Sequence, residues 1–126
     1  MIKLKLQDDE KALINSILLE NCMGMTDVLR EQNTDEGREQ VMQVIQIAIS
    51  TNHVFFKACL EKECEIPQSM AEFMKPILEG SFENLNTLKT KLIKDGHPNG
   101  FQIASTVEIL GNIIKKIPNP SLIATI

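Results

Sequence analysis

Apolar positions along most of this chain recur at helical spacing. Between about Asp9 and Glu31 they fall at Leu13, Ile14, Ile17, Leu18, Cys22, Met25, Val28 and Leu29. Steps of three and four place these residues on one face of an α-helix. Asp8-Asp9-Glu10 supplies a cap and puts negative charge at the positive end of the helix dipole. Gly24 interrupts this segment, either to admit a close neighbour or as a tolerated cost.

A short loop, Gln32-Asn33-Thr34-Asp35, leads into a second helix expected from about Asp35 to Glu63, with Asn33 and Glu36 at capping-box spacing. Its polar residues Gln43, Gln46, Ser50, His53 and Lys57 alternate steps of three and four and form one narrow stripe. Nearly everything else in the segment is apolar. A helix with one solvent face needs an apolar arc a little over 100° wide. The arc here is wider, which predicts the central helix of the fold, with surface left over for a partner.

Ile66-Pro67 breaks the chain, and Ser69 with Glu72 reads as a capping box. Met70, Met74, Leu78, Phe82, Leu85, Leu88 and Leu92 then keep helical phase through Pro76 and Gly80-Ser81. This predicts one helix from about Pro67 to Lys94, kinked at the proline. The alternative is two helices divided at Gly80, with Ser81 capping the second. Asp95-Gly96-His97-Pro98-Asn99-Gly100 is a turn, a last helix runs from about Phe101 to Lys116, and Pro118-Asn119-Pro120 ends it.

The expected fold is therefore all-α: a single domain built as an antiparallel four-helix bundle over 8–117 with a Pro-kinked, alternatively split, third helix. Residues 1–7 and 118–126 are expected as extended arms. Ile2, Leu4 and Leu6 alternate with Lys3, Lys5 and Gln7, which is a strand pattern. The two chain ends are expected to pair as a ribbon, or else to pack on the bundle or on a second copy.

Composition narrows the function classes. The chain has 126 residues, 43% hydrophobic and 24% charged, enough to bury about two-thirds of its unfolded surface without a disulfide or metal. No apolar run approaches the roughly 18 residues of a membrane span, and the first residues do not resemble a signal peptide. Net charge is −4, and residues 1–65 carry 12 Asp and Glu against 7 Lys and Arg, so the acid is concentrated in the first half. That distribution, with five Phe and no Trp or Tyr, gives no expectation of nucleic-acid binding. Lys89, Lys91 and Lys94 with Lys115 and Lys116 read as two helix C-termini that favour cations, in preference to one basic patch.

Candidate chemistry is sparse. Cys22, Cys59 and Cys64 are an odd set without Cys-x-x-Cys spacing, consistent with free thiols in a reducing cytoplasm. Cys22 and Cys59 are expected to be buried, and Cys64, among Glu61, Glu63 and Glu65, to be the most exposed thiol, its pKa raised by those acids. His53 and His97 are the two histidines, and neither follows a glutamate at di-iron spacing. No phosphate loop, dinucleotide fingerprint or nucleophile elbow occurs. No catalytic residue, cofactor or metal is predicted. Five of the six Met lie in predicted helices, where they fill a core or line an adaptable surface.

By elimination, the expected function is that of a non-enzymatic, cytoplasmic interaction module. It would bind a protein partner or a second copy of itself through Ile47, Val54, Phe55 and Phe56 on the second helix and Leu122 and Ile123 in the tail. The acidic first half would contribute to recognition. The alternatives are binding of a small apolar ligand in a Met- and Phe-lined gap between helices, and an enzyme whose site assembles only in three dimensions.

Overall fold

A computed structural model describes residues 1–117. The expected C-terminal arm, with Leu122 and Ile123, lies outside the described residues. The order is β1 (Ile2–Leu4), α1 (Asp8–Glu31), α2 (Asp35–Leu60), β2 (Cys64–Ile66), α3 (Gln68–Lys94) and α4 (Gly100–Lys116). The four helices run for 24, 26, 27 and 17 residues, so the chain is mostly helical with a small two-stranded ribbon.

The helix ends follow local chemistry. At the start of α1 the Gln7 N–H donates to Glu10 Oε1 at 2.9 Å. At the start of α2 the Gly37 N–H donates to Thr34 Oγ1 at 3.0 Å. α3 is continuous through Pro76 and Gly80. Among the described residues the positive-φ position is Gly96, at 69°, in the turn before α4; a glycine there avoids the steric cost that a Cβ would carry. Lys91 and Lys94 close α3, and Lys115 and Lys116 close α4. Roughly 25 Å of helix, at 1.5 Å per residue, separates the two ends of α4, so the two lysine groups do not form one patch.

Close helix approach occurs at Gly111, where an added Cβ would lie 3.3 Å from the Phe82 ring. Gly24 has open space at that position, so it is the tolerated cost and not a helix crossing.

Two features depart from expectation. α2 stops at Leu60, and residues 64–66 form a strand. Pro67 disfavours helical backbone at Ile66, while Cys64-Glu65-Ile66 alternates apolar, charged, apolar. β1 pairs antiparallel with this internal segment: Ile2 lies opposite Ile66, Lys3 opposite Glu65 and Leu4 opposite Cys64. Lys3 Nζ adds ion pairs at 3.2 Å to Glu63 and 3.7 Å to Glu65. The N-terminal strand therefore finds its partner inside the chain, in a stretch where the second helix was expected to reach Glu63 and Cys64 to be exposed.

The second departure is that α1, not α2, is the central helix. α1 packs on α2, α3 and α4, whereas α2 rests chiefly on α1 and β2.

The main core explains this asymmetry. It takes Ile14, Ile17 and Leu18 from the first half of α1, and Phe55 and Ala58 from the end of α2. α3 gives Ala71, Met74 and Leu78 from its first half, and α4 gives Leu110 and Ile113 from its second, followed by Ile117. Leu4, Cys64 and Ile66 of the ribbon complete it, which covers a strand pair that would be marginal alone. Ile45, Ala48 and Val107 are buried but stand outside this cluster. The main core thus occupies one end of the helices, the end that carries the ribbon.

An ion pair ties that end together. Lys116 Nζ lies 2.7 and 2.9 Å from the two carboxylate oxygens of Glu10, joining residues far apart in sequence. Glu10 is only 6% exposed. Burial alone would raise the Glu10 pKa, but the Lys116 hydrogen bond, the Gln7 N–H and the Lys116 charge outweigh it and hold the carboxyl below its ordinary value. A lowered folded-state pKa means that the carboxylate stabilises the fold above its unfolded pKa of about 4.3, and that this contribution is lost as pH falls through the folded value. Glu10→Gln is expected to lower stability by about 2 kcal/mol at neutral pH, the scale of a charge-assisted hydrogen bond. The difference from wild type should shrink toward pH 3, as urea titrations across pH will show. A deficit that is constant from pH 7 to pH 3 would contradict this role of the carboxylate.

Candidate interaction surface

On α2 the buried positions are Ile45, Ala48, Thr51, Phe55 and Ala58. They recur at threes and fours and form the face laid on α1 and the ribbon. Diametrically placed, Gln43, Gln46, Ser50, His53 and Lys57 are all exposed, as the narrow polar stripe requires. Between these two tracks lie two apolar flanks. One carries Met42, Ile49, Phe56 and Leu60, and the other carries Ile47 and the half-buried Val54. Met42, Ile49 and Phe56 are seven residues apart, two helical turns each, so their side chains align along the helix.

The candidate partner-binding residues therefore divide. Ile47 is 52% exposed and Phe56 55% exposed, while Val54 is half-buried. Phe55 is fully buried, a correction to its expected place on the surface. Consecutive helical residues point about 100° apart; Phe55 follows the track of Ala48 and Ala58, whose small side chains admit a close neighbour, and Phe56 does not. Met42, Ile49 and Leu60 were not among the expected residues, nor were Leu19, Met23 and Val28 on α1, all of them exposed. The seven-residue spacing on α2 is the sequence signal that identifies part of this set.

The flanks border two open grooves. Between α1 and α2 a groove of about 710 Å³ is lined by Leu19, Cys22, Ile49, His53 and Phe56. Between α2 and the start of α3 a groove of about 560 Å³ is lined by Gln46, Ile47, Ser50, Met70 and Phe73. Neither has a charged lysine, arginine or carboxylate in its lining. Charge gathers instead at the α1–α2 turn, where Asp27, Glu31, Asp35, Glu36 and Glu39 are all exposed. Arg30 and Arg38 offset part of it, through contacts of 3.5 Å to Asp27 and 3.4 Å to Asp35.

The thiols are placed in the reverse order to expectation. Cys64 is the most buried of the three, at 3% exposure, while Cys22 and Cys59 are partly exposed. The flanking glutamates project away because strand alternation turns Cys64 into the core. Burial, followed by the neighbouring Cys59 thiol, pushes the Cys64 pKa up to about 11. Burial also raises the pKa of Cys59 and Cys22. Asn15 Nδ2 donates to the Lys11 carbonyl at 3.0 Å and lies 3.8 Å from Cys59 Sγ, while its Oδ1 is buried without a partner. Among the described residues, no group of three or more His, Cys, Asp or Glu is arranged to hold a metal ion, and no helix is long and apolar enough to cross a membrane.

No protein-family model, curated protein or solved structure matches the chain.

Cys22 and Cys59 are expected to react with an aromatic disulfide reagent in the native state, and Cys64 only after unfolding. Mass spectrometry of partly labelled protein will order the three sites. Fast native labelling at Cys64 would contradict the ribbon register.

Proposed function

We propose that the chain is a helical protein-interaction module that binds a partner, or a second copy of itself, through the apolar flanks of α2 and the adjoining surface of α1. The observation that carries this reading is the run of exposed Met42, Ile49, Phe56 and Leu60 beside exposed Leu19 and Met23. Isolated apolar side chains on a surface need no explanation, but an aligned set on adjoining helices does. Most of these side chains are about half exposed, so removing the remainder from water favours association by roughly half the 1.5–3 kcal/mol of full burial for each, before the entropic cost of binding.

The reading takes the chain as one unit, an antiparallel bundle in which α3 bends at Pro76. Lys11 and Asn15 beside Cys59, Glu10 beside Lys116 and Lys75 beside Ile117 support that arrangement. They bring the starts of α1 and α3 to the ends of α2 and α4. The acidic α1–α2 turn would repel its own copy, so self-association favours two copies running in opposite directions, as a two-fold dimer permits. The free thiols suit a reducing cytoplasm.

A small apolar ligand is the second reading, favoured by Met70, Phe73 and Ile47 lining the α2–α3 groove. That groove is open along its length, which suits a docked chain better than an enclosed small molecule.

Light scattering at rising protein concentration tests the primary reading. Wild type is expected to self-associate, and Ile49→Glu with Phe56→Glu to remain monomeric with unchanged helicity, because both side chains are already in solvent. Phe55→Ala, by contrast, should destabilise the fold by about 3–5 kcal/mol, as truncation of a buried aromatic does. Wild type that stays monomeric at about 1 mM, with no difference in solubility from the double variant, would overturn self-association through α2.

A further inference from the structure

The ribbon end carries a second feature, independent of the apolar flanks. A cavity of about 220 Å³ lies between the ribbon and the first turns of α1. Lys3, Lys5, Lys11 and Lys62 line it, with Glu63 as its one acid. Leu4, Leu6 and Cys64 form its apolar part, and Leu4 and Cys64 belong to the buried core.

The lining holds four lysines and one carboxylate in a chain whose net charge is −4, and Glu65, at 3.7 Å from Lys3, supplies a second carboxylate next to it. Glu63 is already paired with Lys3, at 3.2 Å. Among the described residues Lys5, Lys11 and Lys62 have no carboxylate within ion-pair distance. Lys11 Nζ instead donates to the neutral Cys59 carbonyl at 3.3 Å. Beside the apolar wall the local dielectric falls below that of water, which strengthens the attraction of a counter-anion to the lysines that no carboxylate offsets.

We propose that this cavity binds a phosphate group. Lysine holds phosphate as a point charge, and several lysines around a small space suit a compact, multiply charged anion; arginine, whose fork fits carboxylate and phosphate alike, is absent from the lining. Its volume is below the usual range for drug-sized ligands, so the ligand is free phosphate or the phosphate of a small phosphomonoester.

Calorimetry with inorganic phosphate and with glycerol phosphate, at low ionic strength, tests the assignment on the full chain. Saturable one-to-one binding is expected, with chemical-shift changes at Leu4, Leu6 and Lys62. Tighter binding of the free ion or of the ester will identify which source the site prefers. Lys5→Gln with Lys62→Gln should weaken binding at least tenfold without altering helicity, since both side chains are exposed. Lys91→Gln with Lys94→Gln, at the far end of α3, should leave affinity unchanged. Absence of saturable binding at millimolar phosphate, an unchanged affinity in the Lys5/Lys62 variant, or shifts centred on Lys91 and Lys94 would each overturn the proposal.

Discussion

The structure depends on the closing of its main core at one end. Glu10 and Lys116 join the start of α1 to the end of α4, and β1 pairs with β2 across the same end. Around these two tethers each helix contributes about half its length to a single cluster. Ile14, Phe55, Met74, Leu78, Leu110 and Ile113 are buried there without measurable exposure. Over their whole length the helices pack most heavily in two pairs, α1 with α2 and α3 with α4.

That constraint separates two kinds of surface. At the closed end, backbone pairing and ionisable groups meet, and four lysines converge on a small cavity. Farther along α1 and α2, exposed Leu19, Met23, Met42, Ile47 and Ile49 accompany the acidic turn. Ile45, Ala48 and Thr51 are buried along the same part of α2, so the apolar flanks are additional to its buried face. A protein partner laid along them would bury surface that the core leaves in water, and this is why the interaction reading rests on α2 and not on any catalytic group.

Much of the fold was legible in apolar spacing, because a helix imposes one period over many residues. α1 and α3 begin and end within a residue or so of expectation, and α3 passes through Pro76 and Gly80 in unbroken phase. The ribbon was half legible. Ile2 and Leu4 showed their strand pattern, but a three-residue partner such as Cys64–Ile66 is too short to display a period, and its acids mimicked a helix end. The position of Cys64 was lost with it, since strand alternation, not neighbouring charge, decides its burial. The polar stripe of α2 is legible in the sequence, and its residues are exposed. The division of its apolar arc is not, because Phe55 and Phe56 are chemically identical and only the helix phase relative to Ala48 and Ala58 separates them. The lysine cavity had no linear signal: Lys3, Lys5, Lys11 and Lys62 meet only once β1 has paired with β2.

Hydrogen–deuterium exchange, followed residue by residue at low and high protein concentration, separates a core closed at one end from one spread along all four helices. In dilute solution the account predicts slow exchange around Ile14–Leu18, Phe55–Ala58, Ala71–Leu78 and Leu110–Ile113, and faster exchange in the first half of α2. Raising the concentration should then slow exchange selectively along α1 and α2 near Met23, Met42 and Ile49. Uniform protection along all four helices, unchanged by concentration, would contradict both the one-ended core and the docking surface derived from it.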